Sequence, residues 1–429
     1  MQPILQLALD FVELKRAIKV AHEAVEGGVD WLEAGTPLIK SEGLDAVRRL
    51  REEFPNFTVV ADMKTADTGR LEVEIAAKAG ADIVCVLGGV SEATIKECIE
   101  AGKNYGARIM VDLLEVKDIV KRAKEVESWG ADYICIHTPI DAQMRGENPF
   151  QIVKRVAKEI KIPIAVAGGI NSENAPQAVE AGASIVIVGG AIIKSPDAKK
   201  AAKEIKKAIV EGVSIPTVLY KRLTGEEIRE LLSMVSTPNI SDALHRKGVL
   251  KDIKPVVPGV KMVGKALTVR TYPGDWAKPV EAIDLAEKGE VIVIDAGGVG
   301  PAVWGELATW SSKNKGIAGV VIDGGIRDVE EIRKLKFPAF AKLITPQAGE
   351  PKGFGEIGIP IKVGGETVEP GDWVVGDEDG VVVIPKSRVE EVANRAMDVL
   401  EKENRIRKEI KEGGTLSSVM ELLRWEKKR

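Results

Sequence analysis

Up to about residue 212 the chain alternates short, unbroken apolar runs with longer stretches in which apolar residues recur at helical spacing. The runs occupy positions 4–9, 29–34, 58–63, 83–87, 108–113, 133–137, 164–167 and 185–188. Strands without polar alternation are buried on both faces, and helix-length connections make neighbouring strands parallel. Eight such units close most economically as a (β/α)8 TIM barrel. Gly-Ala-Asp turns such as 80–82 and 130–132 mark the ends of the helices that precede strands. The alternation breaks at 213–222, which reads as an interdomain connection. Beyond it the texture changes, with glycine- and proline-punctuated strands at 264–272, 291–296, 320–323, 373–375 and 380–385. Thr224 and Glu227 spell a capping box for a helix reaching Val235, and 389–411 reads as a charged amphipathic helix interrupted at Gly413-Gly414. The pattern predicts a barrel at 1–212, a linker at 213–222 and a second α/β domain at 223–429 that includes the C-terminal helices.

Composition agrees with two domains, because 429 residues exceed the size at which a single core keeps growing. The 45% hydrophobic and 29% charged content is that of a globular chain, and no run is long enough to span a bilayer. The first ten residues read as a strand and not as a secretion signal, so a cytoplasmic location is expected. A net charge of −4, with Lys and Glu mixed along the helices, gives no field for a polyanion. Neither nucleic acid nor a membrane is expected as a partner. Cys85 and Cys135 lie in strand runs and Cys98 in a helical pattern, so all three read as packing residues.

Reacting groups in such barrels stand at the C-terminal ends of strands, where this chain places Asp10, Glu33, Asp62, Lys64, Asp67, Asp112 and His137. Glu33 and Asp62 end the second and third strands, close enough around the mouth to share an oxygen-seeking Mg2+ ion. Lys64 lies two positions beyond Asp62 and projects on the same side, where it can stabilise an oxyanion on a substrate. His137 is delivered to the mouth by the sixth strand as a proton carrier. Gly168-Gly169 follow the seventh strand and Gly189-Gly190 the eighth, where bare backbone amides can hold a phosphate. The competing reading of the acidic and basic residues is a salt-bridged rim.

The segments LQLALD, EAGTPLIKSEG, ADMKTADTG, DYICIHTPID, AVAGGI and VIVGGAI together resemble the 3-hexulose-6-phosphate synthase family, within the orotidine-5'-phosphate decarboxylase superfamily, over residues 1 to 212. The resemblance implies a lyase that condenses formaldehyde with ribulose 5-phosphate to hexulose 6-phosphate, or runs in reverse. It implies Glu33 and Asp62 as ligands of Mg2+ or another divalent metal such as Mn2+. Lys64 then neutralises an enediolate, His137 moves protons, Asp10 and Asp112 contact substrate, and Asp67 reaches into the neighbouring subunit of a homodimer. The rival within the superfamily is a 3-keto-L-gulonate-6-phosphate decarboxylase. Its members typically show His-Arg and Gly-Arg where this chain has His137-Thr138 and Gly189-Gly190.

In the second half, STPNISDAL, GVVIDGGIRD and VEPGDWVVGDEDGVVVIP resemble the family of the regulator of ribonuclease activity A and the 4-hydroxy-4-methyl-2-oxoglutarate aldolases. That resemblance implies a swivelling-type α/β fold and a trimer through this domain. It also implies Asp328 as a metal ligand and Arg327 as the partner of a 2-oxoacid whose carboxylate meets the backbone around Gly305, Glu306 and Leu307. Glu306 stands where the aldolases have Asp, which moves the carboxylate by one methylene. A second enzyme, a binding regulator and an oligomerisation scaffold remain open for this half. His245 reads as an ordinary residue on a helix.

Overall fold

The computed structural model describes residues 2–217 and 221–420. The chain divides into two compact units, Met1–Arg222 together with Glu401–Arg429, and Leu223–Leu400.

The first unit is a closed barrel of eight parallel strands in chain order: β1 (Ile4–Leu9), β2 (Trp31–Ala34), β3 (Thr58–Thr65), β4 (Ile83–Leu87), β5 (Arg108–Asp112), β6 (Tyr133–His137), β7 (Ile164–Ala167) and β8 (Ile185–Val188). Five of these match the apolar runs at both ends, and the others differ by up to two residues. The pleat alternates side chains between two buried layers. Leu5, Leu7, Leu9, Val59 and Ala61 point outward into the core shared with the helices. Ala8, Trp31, Val60, Cys85, Met110, Cys135 and Ile187 fill the interior. This double burial is why the runs carry no polar alternation.

The first unit differs from its sequence-based limits at both ends of the second domain. Of the expected 213–222 linker, positions 218–220 lie outside the described residues, and the segment before them is tied to the barrel. Ile215 N–H donates to Ser172 O at 3.0 Å and Thr217 N–H to Glu173 Oε1 at 2.8 Å. The helix Val389–Lys411 appears as expected, but from Glu401 onward it counts with the barrel unit and not with the second domain. Arg405, buried, donates to both carboxylate oxygens of Glu23 at 2.9 Å and to Glu409 at 3.0 Å.

The second unit is built on a mixed sheet. Its strands are β9 (Lys254–Pro255), β10 (Met262–Arg270), β11 (Val291–Asp295), β12 (Ala302–Trp304), β13 (Gly319–Ile326), β14 (Ala339–Ile344), β15 (Glu356–Ile357), β16 (Ile361–Val363), β17 (Glu366–Val368), β18 (Trp373–Asp377) and β19 (Gly380–Ile384). The order is β19-β18-β10-β11-β13-β14-β9, with β12 paired to β13 and β15 to β10, while β16 and β17 form a separate ribbon. The middle of the sheet, β10 to β14, is parallel and the flanks are antiparallel. The capping box expected at Thr224 and Glu227 does not form, because Gly225–Glu227 is a single 3-10 turn whose Gly225 N–H donates to Glu390. A capping box forms instead at Ser236 and Asn239, opening the helix Thr237–Ala243. His245 falls beyond that helix, exposed and in a left-handed conformation. Among the described residues no helix is long and apolar enough to cross a membrane.

Candidate active site

The inward parity of the barrel strands brings Asp10, Glu33, Asp62, Lys64, Asp112 and His137 to one cavity of about 380 Å³. Gly168, Gly169, Gly189 and Gly190, at the ends of the adjacent strands β7 and β8, line the same cavity. Asp62 and Lys64 sit two residues apart on β3 and so share its inner face. The pairing of β3 with β4 slips between Ala61 and Thr65, and Lys64 adopts φ 46°, a left-handed conformation that costs a non-glycine residue about 1–2 kcal/mol. The surroundings hold this conformation. Lys64 Nζ lies 3.0 Å from Asp62 Oδ2 and 3.0 Å from Asp112 Oδ2.

Those contacts decide the charge states. Burial by itself would lower the pKa of Lys64, but Asp62 and Asp112 more than offset it and shift it upward, so the ammonium persists. Burial works against ionising Asp112, yet the hydrogen bond with His137 and the charge of Lys64 bring its pKa below the ordinary value. His137 Nδ1 stands 3.1 Å from Asp112 Oδ2. An ionised carboxylate only accepts, so Nδ1 carries a proton and Nε2 is the nitrogen left for a substrate.

Glu33 is buried and receives a hydrogen bond from Gln6 Nε2. Burial raises its pKa well above the ordinary carboxylate range, and the charges of Asp62 and Asp10 push the same way. Asp10 opens to solvent in the mouth but is enclosed by the cavity walls. That desolvation, followed by the charge of Asp62, raises its pKa as well. A Cβ on Gly35 would fall 2.3 Å from Asp10 Oδ1, so only glycine leaves room for this carboxylate beside β2. A rim of ion pairs accounts for Lys64, Asp62 and Asp112, but not for Asp10 and Glu33, whose ionised forms burial disfavours and no ion pair among the described residues balances.

A divalent cation fits that imbalance. Glu33 and Asp62 offer hard oxygen donors of the kind Mg2+ takes. Among the described residues no three His, Cys, Asp or Glu side chains converge to hold a metal by themselves. Mg2+ commonly uses one or two carboxylates and completes its shell with water and substrate oxygens.

Asp67 is the one expected barrel residue outside the cavity. It is exposed, and its Oδ1 accepts from Thr68 N–H at 2.7 Å. Thr36 was not singled out, although it stands in the EAGTP segment; its hydroxyl donates to Asp62 Oδ2 at 2.7 Å and orients that carboxylate. Gln6 was also missed, and its signal was a polar residue inside an apolar run at the same parity as Asp10. The three cysteines are buried thiols, as expected, but Cys85 and Cys135 also line the cavity floor. Burial pushes both thiols up, and that of Cys98 up to about 12, so they stay protonated.

In the second unit a cavity of about 360 Å³ is lined by Trp276, Trp304, Gly305, Leu307, Arg327 and Asp328, among others. Asp328 precedes the helix Val329–Leu335 at φ 56°, and its Oδ2 lies 3.4 Å from Arg327 Nε. A Cβ on Gly305 would come within 2.5 Å of that oxygen, so the glycine admits the carboxylate. Glu306 departs from expectation. Its N–H already donates to Asp328 Oδ2 at 3.2 Å, and its side chain is not on the cavity wall.

Residues 3–205 match the orotidine 5'-phosphate decarboxylase / HUMPS family. A 3-hexulose-6-phosphate synthase of Bacillus subtilis (strain 168) is 43% identical over 209 residues, covering 48% of this chain and 99% of that protein. The chain belongs to the orotidine 5'-phosphate decarboxylase / HUMPS family. Another relative in the same range is a 3-hexulose-6-phosphate synthase of Staphylococcus epidermidis, 41% identical over 206 residues, 48% of this chain and 98% of that protein. A solved 3-hexulose-6-phosphate synthase from Salmonella typhimurium covers 50% of this chain and all of its own, at 36% identity and a TM-score of 0.48. The family barrel is followed by an RraA-like domain, for residues 237–383 match the Aldolase/RraA family.

Proposed function

We propose that the barrel carries out the divalent-metal-dependent aldol condensation of formaldehyde with ribulose 5-phosphate to 3-hexulose 6-phosphate, and its reverse. The Lys64-centred network carries this reading. It stands between two crowded carboxylates on one side and two glycine turns on the other, in a domain 43% identical to a 3-hexulose-6-phosphate synthase over 99% of that protein. The glycine turns at 168–169 and 189–190 present backbone to the phosphate, where side chains would intrude. Asp10 and Asp112 meet the sugar hydroxyls. His137 Nε2 takes the proton from the carbon next to the ketone, and the Lys64 ammonium neutralises the charge that develops on the substrate oxygen. That carbon then bonds to the formaldehyde carbon, whose oxygen collects a proton. Bound at Glu33 and Asp62, Mg2+ or Mn2+ supplies Lewis-acid polarisation of the substrate oxygens.

Asp67 serves the cavity of a second copy in this reading, which makes the barrel a homodimer. Its exposure supports this, as do the exposed Leu71 and Ile75, one turn apart on the helix that follows it. The RraA-like domain is proposed to take a 2-oxoacid against Arg327, with Asp328 as the metal ligand. The full chain with Mg2+ is expected to form hexulose phosphate from ribulose 5-phosphate and formaldehyde; absence of product overturns the barrel reading. Oxaloacetate decarboxylation that stays at background with metal present overturns the reading of the second domain.

A further inference from the structure

The cavity wall between His137 and the glycine turn of β7 carries a polar side chain to which the mechanism gives no part. Gln143 lies in the helix Ile140–Met144 that follows β6, lines the cavity and is 5% exposed. Its Nε2 donates to Thr138 O at 2.8 Å. A carbonyl oxygen can only accept, so this bond settles which end of the amide is which. The other end, Oε1, is a buried acceptor with no hydrogen-bond partner among the described residues. The amide lies along the glycine turn, for a Cβ on Gly168 would fall 3.0 Å from Nε2 and one on Gly169 3.7 Å from Oε1.

A buried acceptor left unpaired is penalised, and the penalty is removed when a donor arrives. The donor cannot be the phosphate itself, whose ionised oxygens only accept and would repel a carbonyl oxygen. A sugar hydroxyl can donate. We propose that Gln143 is a substrate-contacting specificity residue whose Oε1 accepts a hydrogen bond from the hydroxyl next to the phosphorylated carbon. The requirement follows from placement. In the proposed reading the phosphate seats on the Gly168-Gly169 backbone and the reacting carbons lie toward Lys64 and Glu33, and of the two hydroxyls between them the one nearer the phosphate passes the Gln143 amide. The cavity then selects polyhydroxylated phosphates by making their deoxy analogues leave Oε1 unpaired.

This inference rests on the sugar-phosphate reading of the cavity, and one experiment separates the two. The full chain with Mg2+ and formaldehyde is assayed on ribulose 5-phosphate and on its 4-deoxy analogue, for the wild type and for Gln143→Leu. The wild type is expected to prefer the hydroxylated substrate by at least about tenfold in kcat/KM. Gln143→Leu is expected to lose that preference, mainly through activity on ribulose 5-phosphate, while inhibition by inorganic phosphate is unchanged and so reports an intact glycine cradle. A wild type that treats the two compounds alike, or a leucine variant that keeps the preference, overturns the role of Gln143. A wild type that turns over neither compound overturns the parent reading and this one with it.

Discussion

Lys64 is held in a left-handed backbone conformation between two carboxylates, and both features serve to place one ammonium group. Lys64→Ala removes the only cation that contacts Asp62 and Asp112 in the described cavity. It is expected to lower kcat by at least about 10²-fold, the usual loss when a charge-stabilising donor is removed. An active Lys64→Ala protein would sink the mechanism. Glu33 makes the opposite kind of statement. Its folded-state pKa lies above the ordinary 4.5, so between 4.5 and the raised value the folded chain binds more protons than the unfolded one. Stability therefore falls as pH rises through that window. Glu33→Gln should raise the barrel's melting temperature at neutral pH without metal, and the difference should vanish below pH 4.5. Added Mg2+ should raise the wild-type transition by mass action and the variant's much less, which differential scanning calorimetry would read. A variant less stable than wild type at neutral pH contradicts the crowding argument.

Elements carry the charges to their places, and one element does so across an expected boundary. The helix Val389–Lys411 was legible to its end residues from its amphipathic pattern, because side-chain periodicity is a local property. Its allegiance was not, because that depends on which partners fold against it. Val392, Ala393, Ala396 and Met397 pack in the core of the second unit, while Arg405 is buried against Glu23 of the barrel. Arg405→Met leaves Glu23 without its guanidinium and Glu409 with Arg16 alone, and should destabilise the barrel transition by about 1–3 kcal/mol, measured by urea unfolding. Catalytic constants should hardly move, since the helix supplies nothing to the cavity wall. The sequence pattern marks neither the six-residue β14 nor the strands β9, β12, β15, β16 and β17, each three residues or fewer; β9, β12 and β15 exist only through pairing partners distant in sequence.

At the scale of the whole molecule the proposed homodimer has Asp67 of one copy serve the cavity of the other. If the site is shared, Lys64→Ala and Asp67→Ala are both inactive alone. Mixed after dissociation and reassociation, they should recover roughly a quarter of wild-type activity, because a hybrid dimer has one site free of both changes. Absence of recovery, with a dimer seen by sedimentation, places Asp67 in its own subunit's chemistry or in none.

The barrel and most of the side chains that line its cavity were determined by the sequence alone. Doubly buried parallel strands write themselves as unbroken apolar runs, and their two-residue period assigns Asp62, Lys64, Asp112 and His137 to one interior face before any contact is known. Tertiary structure decided what periodicity cannot encode. It set the bulge that turns Lys64 between two carboxylates, the hydroxyl of Thr36 that steadies Asp62, and the amide of Gln143 lying along the β7 turn. It also decided that the Glu306 amide is taken up by Asp328. Each of these depends on distances between residues far apart in the chain, which appear only when the strands close into a ring or the sheet brings its loops together.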